Sequence, residues 1–273
     1  MKNPNTAIEN INSVKNPKVK AWQKLKTKKG RNEQGFFLLE GLKLIDEAFK
    51  NGQEIYSLMM DENKPMPDIF NGILGFNQKI AMYSLSTTII EKLTDTEQPQ
   101  GYFAIIKQKN ITHMDLLKDN PSFLLLVDQI QDPGNLGTII RSGDAAGIEG
   151  IILGNGTVDL YNPKVVRAAM GSIFHLPITS GSLDSIIPTL KEQGFHVIGT
   201  SPYATQSYFD LDFKQKIAIL VGNEANGLEE SRKESVDKMV SIPMQGQAES
   251  LNVAMATTLI LYERVRQNQV LIK

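Results

Sequence analysis

The second half of the chain alternates apolar runs of strand length with helical patterns. The run Phe123–Val127 (FLLLV) is continuously apolar, as is typical of a strand buried on both faces of a parallel sheet. Other strand-like runs lie at Gly150–Leu153, Phe195–Thr200, Ile217–Val221 and Met239–Ile242. Helices are predicted at Thr138–Ala146, Pro163–Phe174, Leu183–Gln193, Leu228–Lys233 and Leu251–Arg266. This alternation predicts an α/β fold with a mostly parallel sheet.

The first half predicts a smaller α/β module of ordinary domain size. Its strand candidates are Phe36–Leu39, Ile55–Met60, Ile80–Tyr83 and Tyr102–Lys107, and its helix candidates are Glu40–Lys50 and Thr87–Leu93. The stretch Ile111–Pro121, with the turn signal Asp119-Asn120-Pro121, is interpreted as a linker. We therefore expect two domains, at residues 1–110 and 122–273, joined by a linker at 111–121.

The composition excludes several classes of protein. The 273 residues contain no cysteine, so disulfides and Cys-ligated zinc are excluded, and a reducing cytoplasm is compatible. The sequence has no run of 18 apolar residues, so no membrane span is predicted. The first residues lack the apolar core of a secretory signal. The net charge of −1 gives no global attraction to nucleic acid, so RNA binding would need a local basic patch.

One such patch is the segment Lys15–Arg31, which has eight basic residues, no acid and the only tryptophan, Trp22. The spacing of Val19, Trp22 and Leu25 predicts an amphipathic helix whose basic face is solvated. The same lysines would also suit an arm that binds RNA phosphates. From sequence, the two interpretations stand about even.

Polar residues follow two of the predicted strands. The run Ile217–Val221 stops at Gly222-Asn223-Glu224, and the run Met239–Ile242 is followed by Pro243. Ser250 is a plausible N-cap for the last helix. Ligands of open α/β sheets bind at the carboxyl ends of strands, and a helix N-terminus offers unpaired N–H groups. We therefore expect a binding site there.

Common catalytic signatures do not occur in this sequence. No G-x-G-x-x-G follows a strand, no G-x-x-x-x-G-K-[ST] is present, and no metal-ligand spacing is found. The histidines His113, His175 and His196 lie in unrelated contexts. The remaining candidates are Asn, Arg, Glu and Ser residues at strand ends and helix starts, which suit the binding and orientation of a substrate more than proton shuttling.

Three motifs in the second half resemble those of the SpoU-type (TrmH-like) RNA ribose 2′-O-methyltransferases, which use S-adenosylmethionine. They are DPGNLGTIIR at 132–141, LVGNEANGL at 220–228, and Ile242-Pro243-Met244 followed by ESLNVA at 249–254. Together they cover about residues 122–267. More weakly, FFLLEG at 36–41 is similar to the start of the ribosomal-protein-like substrate-binding domain that often precedes this catalytic domain.

The resemblance implies a SPOUT domain, in which a parallel sheet ends in a C-terminal trefoil knot, an arrangement that pattern analysis would not suggest. The knot loops would bind S-adenosylmethionine, and the family usually works as a homodimer whose sites are completed across the interface. The implied cofactor-binding residues are Thr200, Gly222, Ile242, Met244 and Leu251.

The implied catalytic residues are Asn135, Arg141, Glu224, Ser250 and Asn252. From residue type alone, Asn135, Ser250 and Asn252 would be helix caps, and Arg141 would be a surface arginine. The family assigns to Arg141 the activation of the ribose hydroxyl. A guanidinium is a poor base. Two roles for Arg141 therefore stay open: it activates the hydroxyl, or it binds a phosphate and orients the hydroxyl.

The expected substrate is RNA, with large-subunit ribosomal RNA (23S) favoured over transfer RNA because of the two-domain layout. The expected RNA-binding residues are Lys18, Lys20, Lys24, Lys28, Lys29 and Arg31. Three alternatives stay open: an inert RNA-binding assembly protein, a SPOUT enzyme that modifies a base, and an unrelated α/β enzyme with a nucleotide cofactor.

Overall fold

The computed structural model describes residues 7–77 and 79–269, which divide into two compact units. The first unit comprises the described residues up to Lys109 together with the segment Leu160–Val166. The second comprises Asn110–Asp159 and the described residues from Arg167 onward. Within the described ranges, no helix combines the length and the apolar character needed to cross a membrane.

The first unit is built on a five-stranded mixed sheet. Its strands are β1 (Ile8–Ile11), β2 (Phe36–Glu40), β3 (Ile55–Asp61), β4 (Ala81–Leu85) and β5 (Tyr102–Lys107). Their spatial order is β1-β4-β3-β5-β2, in which β1, β4 and β3 are parallel and β5 is antiparallel to both its neighbours. The helices are α1 (Pro17–Lys24), α2 (Lys28–Gln34), α3 (Leu42–Lys50), α4 (Asp68–Phe76) and α5 (Thr87–Leu93). The four predicted strands and two predicted helices are confirmed, whereas β1, α2 and α4 were not predicted.

The basic segment forms α1 and α2, and its helix is amphipathic as predicted. Val19 and Trp22 are buried, and the Trp22 ring lies 5.0 Å from the Tyr83 ring between centroids. The lysines predicted to bind RNA are exposed, but Arg31 is only 2% exposed. Its Nη1 donates to the Leu25 carbonyl at 2.8 Å, so this guanidinium stabilises the end of α1 and is not exposed at the surface. The prediction for Arg31 is therefore corrected.

The second unit is built on a seven-stranded sheet in which every pair of neighbours is parallel. Its strands are β6 (Phe123–Val127), β7 (Gly150–Gly154), β8 (Ile178–Gly181), β9 (His196–Thr200), β10 (Gln206–Ser207), β11 (Ile217–Val221) and β12 (Lys238–Ser241). Their spatial order is β10-β12-β9-β11-β6-β7-β8. The central strands β6 and β11 are buried at every position, which explains their continuously apolar sequences. The predicted parallel α/β fold is confirmed.

Helices cover this sheet. They are α6 (His113–Leu117), α7 (Pro133–Ala145), α9 (Leu183–Glu192), α10 (Glu230–Ser235) and α11 (Val253–Gln269). Helix α8 (Pro163–Ala168) begins in the segment assigned to the first unit and ends in the second. Short 3₁₀ turns lie at Ser172–Phe174 and Tyr208–Asp210.

Three local predictions differ from the structure. The stretch interpreted as a linker contains α6, which has a Thr112–Asp115 capping box and buries Leu116 against Gly150. The helix predicted at 163–174 is interrupted, because Met170 and Gly171 both have positive φ. Helix α7 begins five residues earlier than predicted, because Asp132 accepts a hydrogen bond from the Asn135 N–H at 2.8 Å and caps it.

Gly30 in α2 offers a test of the packing in the first unit. A Cβ there would lie 2.1 Å from the Lys24 carbonyl oxygen, which belongs to backbone and cannot move aside. We expect Gly30→Ala to lower the free energy of unfolding by about 1–3 kcal/mol, measured by urea denaturation. The control is Gly72→Ala in α4, where a Cβ meets no atom within 4 Å. That change should stabilise the helix by about 0.5–1 kcal/mol, and equal effects of both variants would contradict the packing argument.

Candidate functional site

Three loops that follow neighbouring strands of the parallel sheet enclose a cavity of about 340 Å³. They follow β9, β11 and β12, and the first turns of α11 complete the wall. This volume lies within the range of small-molecule sites. Seven of the ten residues predicted as catalytic or cofactor-binding line it: Thr200, Gly222, Glu224, Ile242, Met244, Ser250 and Leu251.

Gly222 is required by the hairpin that forms part of this wall. A Cβ on Gly222 would lie 2.5 Å from the carbonyl carbon and oxygen of Gly227. Asn223 and Gly227 exchange two backbone hydrogen bonds, of 3.0 and 2.9 Å. These bonds hold the two sides of the hairpin at this short distance. The family resemblance implied that Gly222 contacts the cofactor, but it said nothing about the space that a side chain would need here. The structure shows that the backbone of the same loop already occupies that space.

Glu224 connects this hairpin to the start of α7. Its carboxylate accepts hydrogen bonds from the backbone N–H groups of Gln131 and Asp132, at 3.2 and 3.1 Å, and from Asn135 Nδ2 at 3.0 Å. Burial acts to raise the pKa of Glu224, but these hydrogen bonds outweigh it, and the pKa is lowered. Glu224 is therefore a carboxylate that accepts hydrogen bonds and is not a candidate proton donor at neutral pH.

The Glu224 carboxylate also fixes the orientation of two amides. Since a carboxylate only accepts, Asn135 must present its NH₂ group to it, which leaves Asn135 Oδ1 to accept from Asn252 Nδ2 at 3.0 Å. Asn252 Oδ1 then accepts from the backbone N–H groups of Ala254 and Met255, at 2.9 and 3.3 Å. Residue type predicted caps at both Ser250 and Asn252, and of these two it is Asn252 that caps α11.

Further contacts join the loop after β6 to the loop after β11. Asn223 Nδ2 donates to the carbonyl of Gln129, whose own backbone has a φ of 57°. Arg232 Nε donates to the buried carboxylate of Asp128 at 3.2 Å. Burial raises the pKa of Asp128 in spite of this cation. Sequence analysis placed Asn223 in the expected binding region, but it assigned no function to Asp128, Gln129 or Arg232, because each looked like an ordinary loop or helix residue.

Arg141 is not brought to the cavity. It lies six residues after Asn135 on α7, about 9 Å further along the helix axis, and its side chain is exposed. Six residues correspond to about 240° of rotation, so Arg141 and Asn135 point to different sides of α7. Among the described residues of one chain, Arg141 is therefore separate from the Glu224–Asn135–Asn252 cluster.

The cavity wall contains residues that sequence analysis did not select. Tyr203, which is 86% exposed, and Lys233 both line it, as do Leu228 and Ile260 on the apolar side. Tyr203 lies in the loop after β9, and Lys233 lies on α10. Lys233 lies shortly after the second motif and Tyr203 shortly after Thr200, and this proximity does not distinguish them from neighbouring surface residues.

The fold and this site define a class of protein with a ligand cavity at the carboxyl ends of parallel strands. The model of the SpoU rRNA Methylase family matches residues 122–262, and that of the MRM3-like substrate binding domain matches residues 16–104. The chain belongs to the SpoU rRNA methylase family.

Relatives align along almost the entire chain. The 23S rRNA (guanosine(2553)-2′-O)-methyltransferase RlmP of Bacillus subtilis is 38% identical over 93% of this chain and 98% of its own length. The 23S rRNA (uridine(2479)-2′-O)-methyltransferase of Streptomyces viridochromogenes is 32% identical, over 93% and 91%. Among solved structures, the SpoU methyltransferase AviRb from Streptomyces viridochromogenes in complex with AdoMet has a TM-score of 0.85 at 31% identity, covering 93% of this chain and 99% of that one.

The lowered pKa of Glu224 predicts how its contribution to stability depends on pH. A carboxyl group whose pKa is depressed by folding stabilises the native state above its ordinary pKa of 4.5 and loses that effect as the pH falls further. We expect Glu224→Gln to lower the free energy of unfolding by about 1 kcal/mol at neutral pH. The difference from wild type should shrink below pH 4.5, as measured by urea denaturation across a pH series.

The matched control for this experiment is Glu234→Gln, at an exposed position of α10 outside the cluster. It should leave the stability and its pH dependence close to those of the wild type. A stability difference between Glu224→Gln and wild type that stays constant, or grows, below pH 4.5 would contradict the role assigned to the ionised Glu224.

Proposed function

We propose that this protein transfers a methyl group from S-adenosylmethionine to a ribose 2′-hydroxyl of 23S ribosomal RNA. The observation that carries the proposal is the Glu224–Asn135–Asn252 chain of hydrogen bonds, which borders a cavity lined by the other motif residues. Membership of the SpoU rRNA methylase family supports it, as do relatives named as 23S rRNA 2′-O-methyltransferases. We propose that the protein acts in the cytoplasm, on the ribosomal RNA there.

The cavity fits the proposed cofactor chemically. Apolar side chains of Leu228, Ile242 and Leu251 offer a surface for a purine, and the carboxylates of Glu224 and Glu249 suit a ligand that carries positive charge. Thr200, Gly222 and Met244 would complete the binding surface. When bound, S-adenosylmethionine supplies a methyl group on a sulfonium, which is an activated leaving group.

The polar cluster would then position the RNA. Asn135 and Asn252 are held in one orientation by Glu224, so their amides are fixed before substrate arrives, and such preorganisation favours reaction geometry. Ser250, in the loop before α11, would contact the ribose. Arg141 would bind a phosphate with two parallel hydrogen bonds and orient the 2′-hydroxyl, because a guanidinium presents its N–H donors in a planar fork and has no acceptor.

A homodimer would bring Arg141 to the site. Met255, Leu259 and Tyr262 form a stripe along α11 at i, i+4 and i+7, and are 64%, 44% and 44% exposed. Helix α11 packs on α7, where Ser142 and Thr258 form a 2.7 Å hydrogen bond. We propose that this stripe and the exposed face of α7 form the dimer contact, so that Arg141 of one protomer reaches the cavity of its partner.

Two further parts of the proposal concern organisation. Residues 1–110 would recognise RNA, and residues 122–273 would form the catalytic SPOUT domain. The loops after β9, β11 and β12 would belong to a trefoil knot. This is supported by the way loops from three adjacent strands, separated along the chain, line one cavity.

The first test is transfer of labelled methyl from S-adenosylmethionine to separated ribosomal and transfer RNA that lack this modification. We expect a 2′-O-methylated nucleoside in 23S RNA by mass analysis. Arg141→Ala should lower turnover by at least about a hundredfold, as for other groups that position reactants, while the Kd for S-adenosylmethionine by calorimetry stays within about twofold. Near-normal turnover of Arg141→Ala would exclude this role of Arg141. Arg141→Lys keeps the positive charge without the guanidinium, and so shows whether the charge alone is sufficient.

Other outcomes would redirect the proposal. A methylated base in place of a methylated ribose would indicate a different SPOUT reaction, and product in transfer RNA would change the substrate. Loss of both methyl transfer and cofactor binding in the wild type would favour an inert RNA-binding protein.

The proposed dimer predicts a change of mass in solution. Leu259→Lys places a charge in the apolar stripe and should shift the wild-type dimer to monomer, with loss of methyl transfer, because each site would lack the partner's Arg141. Analytical ultracentrifugation measures the mass. Phe76→Lys, at an 82% exposed apolar position in the first unit, is the control and should remain dimeric. A wild-type monomer with full activity would exclude this arrangement.

The basic helices predict salt-dependent RNA binding. Lys20 and Lys24 lie one turn apart on α1, and Lys28 begins α2, all exposed. Replacing these three by Ala should weaken binding to a 23S RNA fragment and lower the slope of log K against log salt by about two to three. The control replaces the exposed Lys43, Lys79 and Lys214. An equal loss of slope in both triple variants would exclude a specific role for the basic segment.

A further inference from the structure

The wall of the cavity has an asymmetric distribution of charge. Among the described residues that line it, three have charged side chains: Glu224, Glu249 and Lys233. Lys233 is thus the single cation in the described lining. A ligand with an anionic group would find one side chain here with which to form an ion pair.

Lys233 is available for a new partner at low cost. Its Nζ donates to Glu230 Oε2 at 2.9 Å, three residues earlier on α10. The two side chains are 40% and 77% exposed, and ion pairs that are this exposed to water contribute little to stability. Glu224, by contrast, already accepts three hydrogen bonds from other parts of the site.

We propose that Lys233 recognises the α-carboxylate of S-adenosylmethionine and so selects ligands that carry an intact amino-acid end. This inference rests on the proposed function, because it concerns the cofactor assigned there. The carboxylate is the only anionic group of that molecule, whereas its sulfonium and α-ammonium are cations. The one lysine of the wall therefore complements the one negative charge, and the two glutamates suit the positive charges.

The inference predicts a difference between two ligands that differ only in the carboxylate. Decarboxylated S-adenosylmethionine retains the adenosine, the sulfonium and the ammonium. A charge-assisted hydrogen bond at a partly exposed position corresponds to about tenfold in Kd. Wild-type protein should therefore bind S-adenosylmethionine about tenfold more tightly than the decarboxylated ligand.

The test is calorimetric titration of both ligands into the wild-type chain and four variants. Lys233→Met should weaken binding of S-adenosylmethionine about tenfold and leave binding of the decarboxylated ligand unchanged, so that the preference disappears. Lys233→Arg should retain the preference, because the charge remains. Lys238→Met, which removes an exposed lysine at the start of β12 outside the lining, should behave as wild type.

Several results would overturn the inference. Equal weakening of both ligands by Lys233→Met would mean that Lys233 supports the shape of the cavity, and no change for either ligand would mean that its charge is unused. Glu230→Gln removes the carboxylate that pairs with Lys233, and this variant should still bind S-adenosylmethionine more tightly than the decarboxylated ligand. If it binds both ligands equally, the Lys233–Glu230 pair has a structural role. If the wild-type protein binds neither ligand, the proposed cofactor itself is wrong. This result differs from the others, in all of which the wild type binds S-adenosylmethionine.

Discussion

The site depends on one carboxylate that accepts three hydrogen bonds. Glu224 receives the backbone N–H groups of Gln131 and Asp132 and the amide of Asn135, and so determines which way the amides of Asn135 and Asn252 face. A neutral side chain could both donate and accept, and would leave that order of donors and acceptors undetermined. One chain of hydrogen bonds, in which each amide has a fixed donor side and acceptor side, thereby joins the loop after β11 to the starts of α7 and α11.

The parallel sheet explains why these residues meet although they are distant in the sequence. Strands β9, β11 and β12 lie beside one another, so the loops at their carboxyl ends open on the same edge. Each loop contributes backbone and small or apolar side chains to the cavity. Close approach within the Gly222–Gly227 hairpin keeps one wall compact, because a Cβ at Gly222 would meet the Gly227 backbone.

Much of this could be predicted from the sequence, because buried parallel strands are continuously apolar and the polar motifs follow them. The bounds of β11 and β5 were predicted to the residue. Edge strand β8 (ITSG) was missed, since its sequence is short and half polar. The burial of Arg31 was also not predicted, because it depends on how α1 and α2 pack together, which local patterns do not reveal. Residue type favoured caps at both Ser250 and Asn252, and only the structure shows that Asn252 caps α11.

Hydrogen bonds made by α11 and by its capping residue close very long stretches of chain. Asn135 and Asn252 are 117 residues apart, and Arg264 on α11 donates to the Ser122 hydroxyl across 142 residues. Contacts of this sequence separation form late in folding, because a large loop must be ordered before they stabilise anything. During synthesis, the motifs around β6 and β11 leave the ribosome well before α11. The enzyme would thus remain without a formed site until its last helix is released, so that a prematurely terminated chain holds no competent cavity.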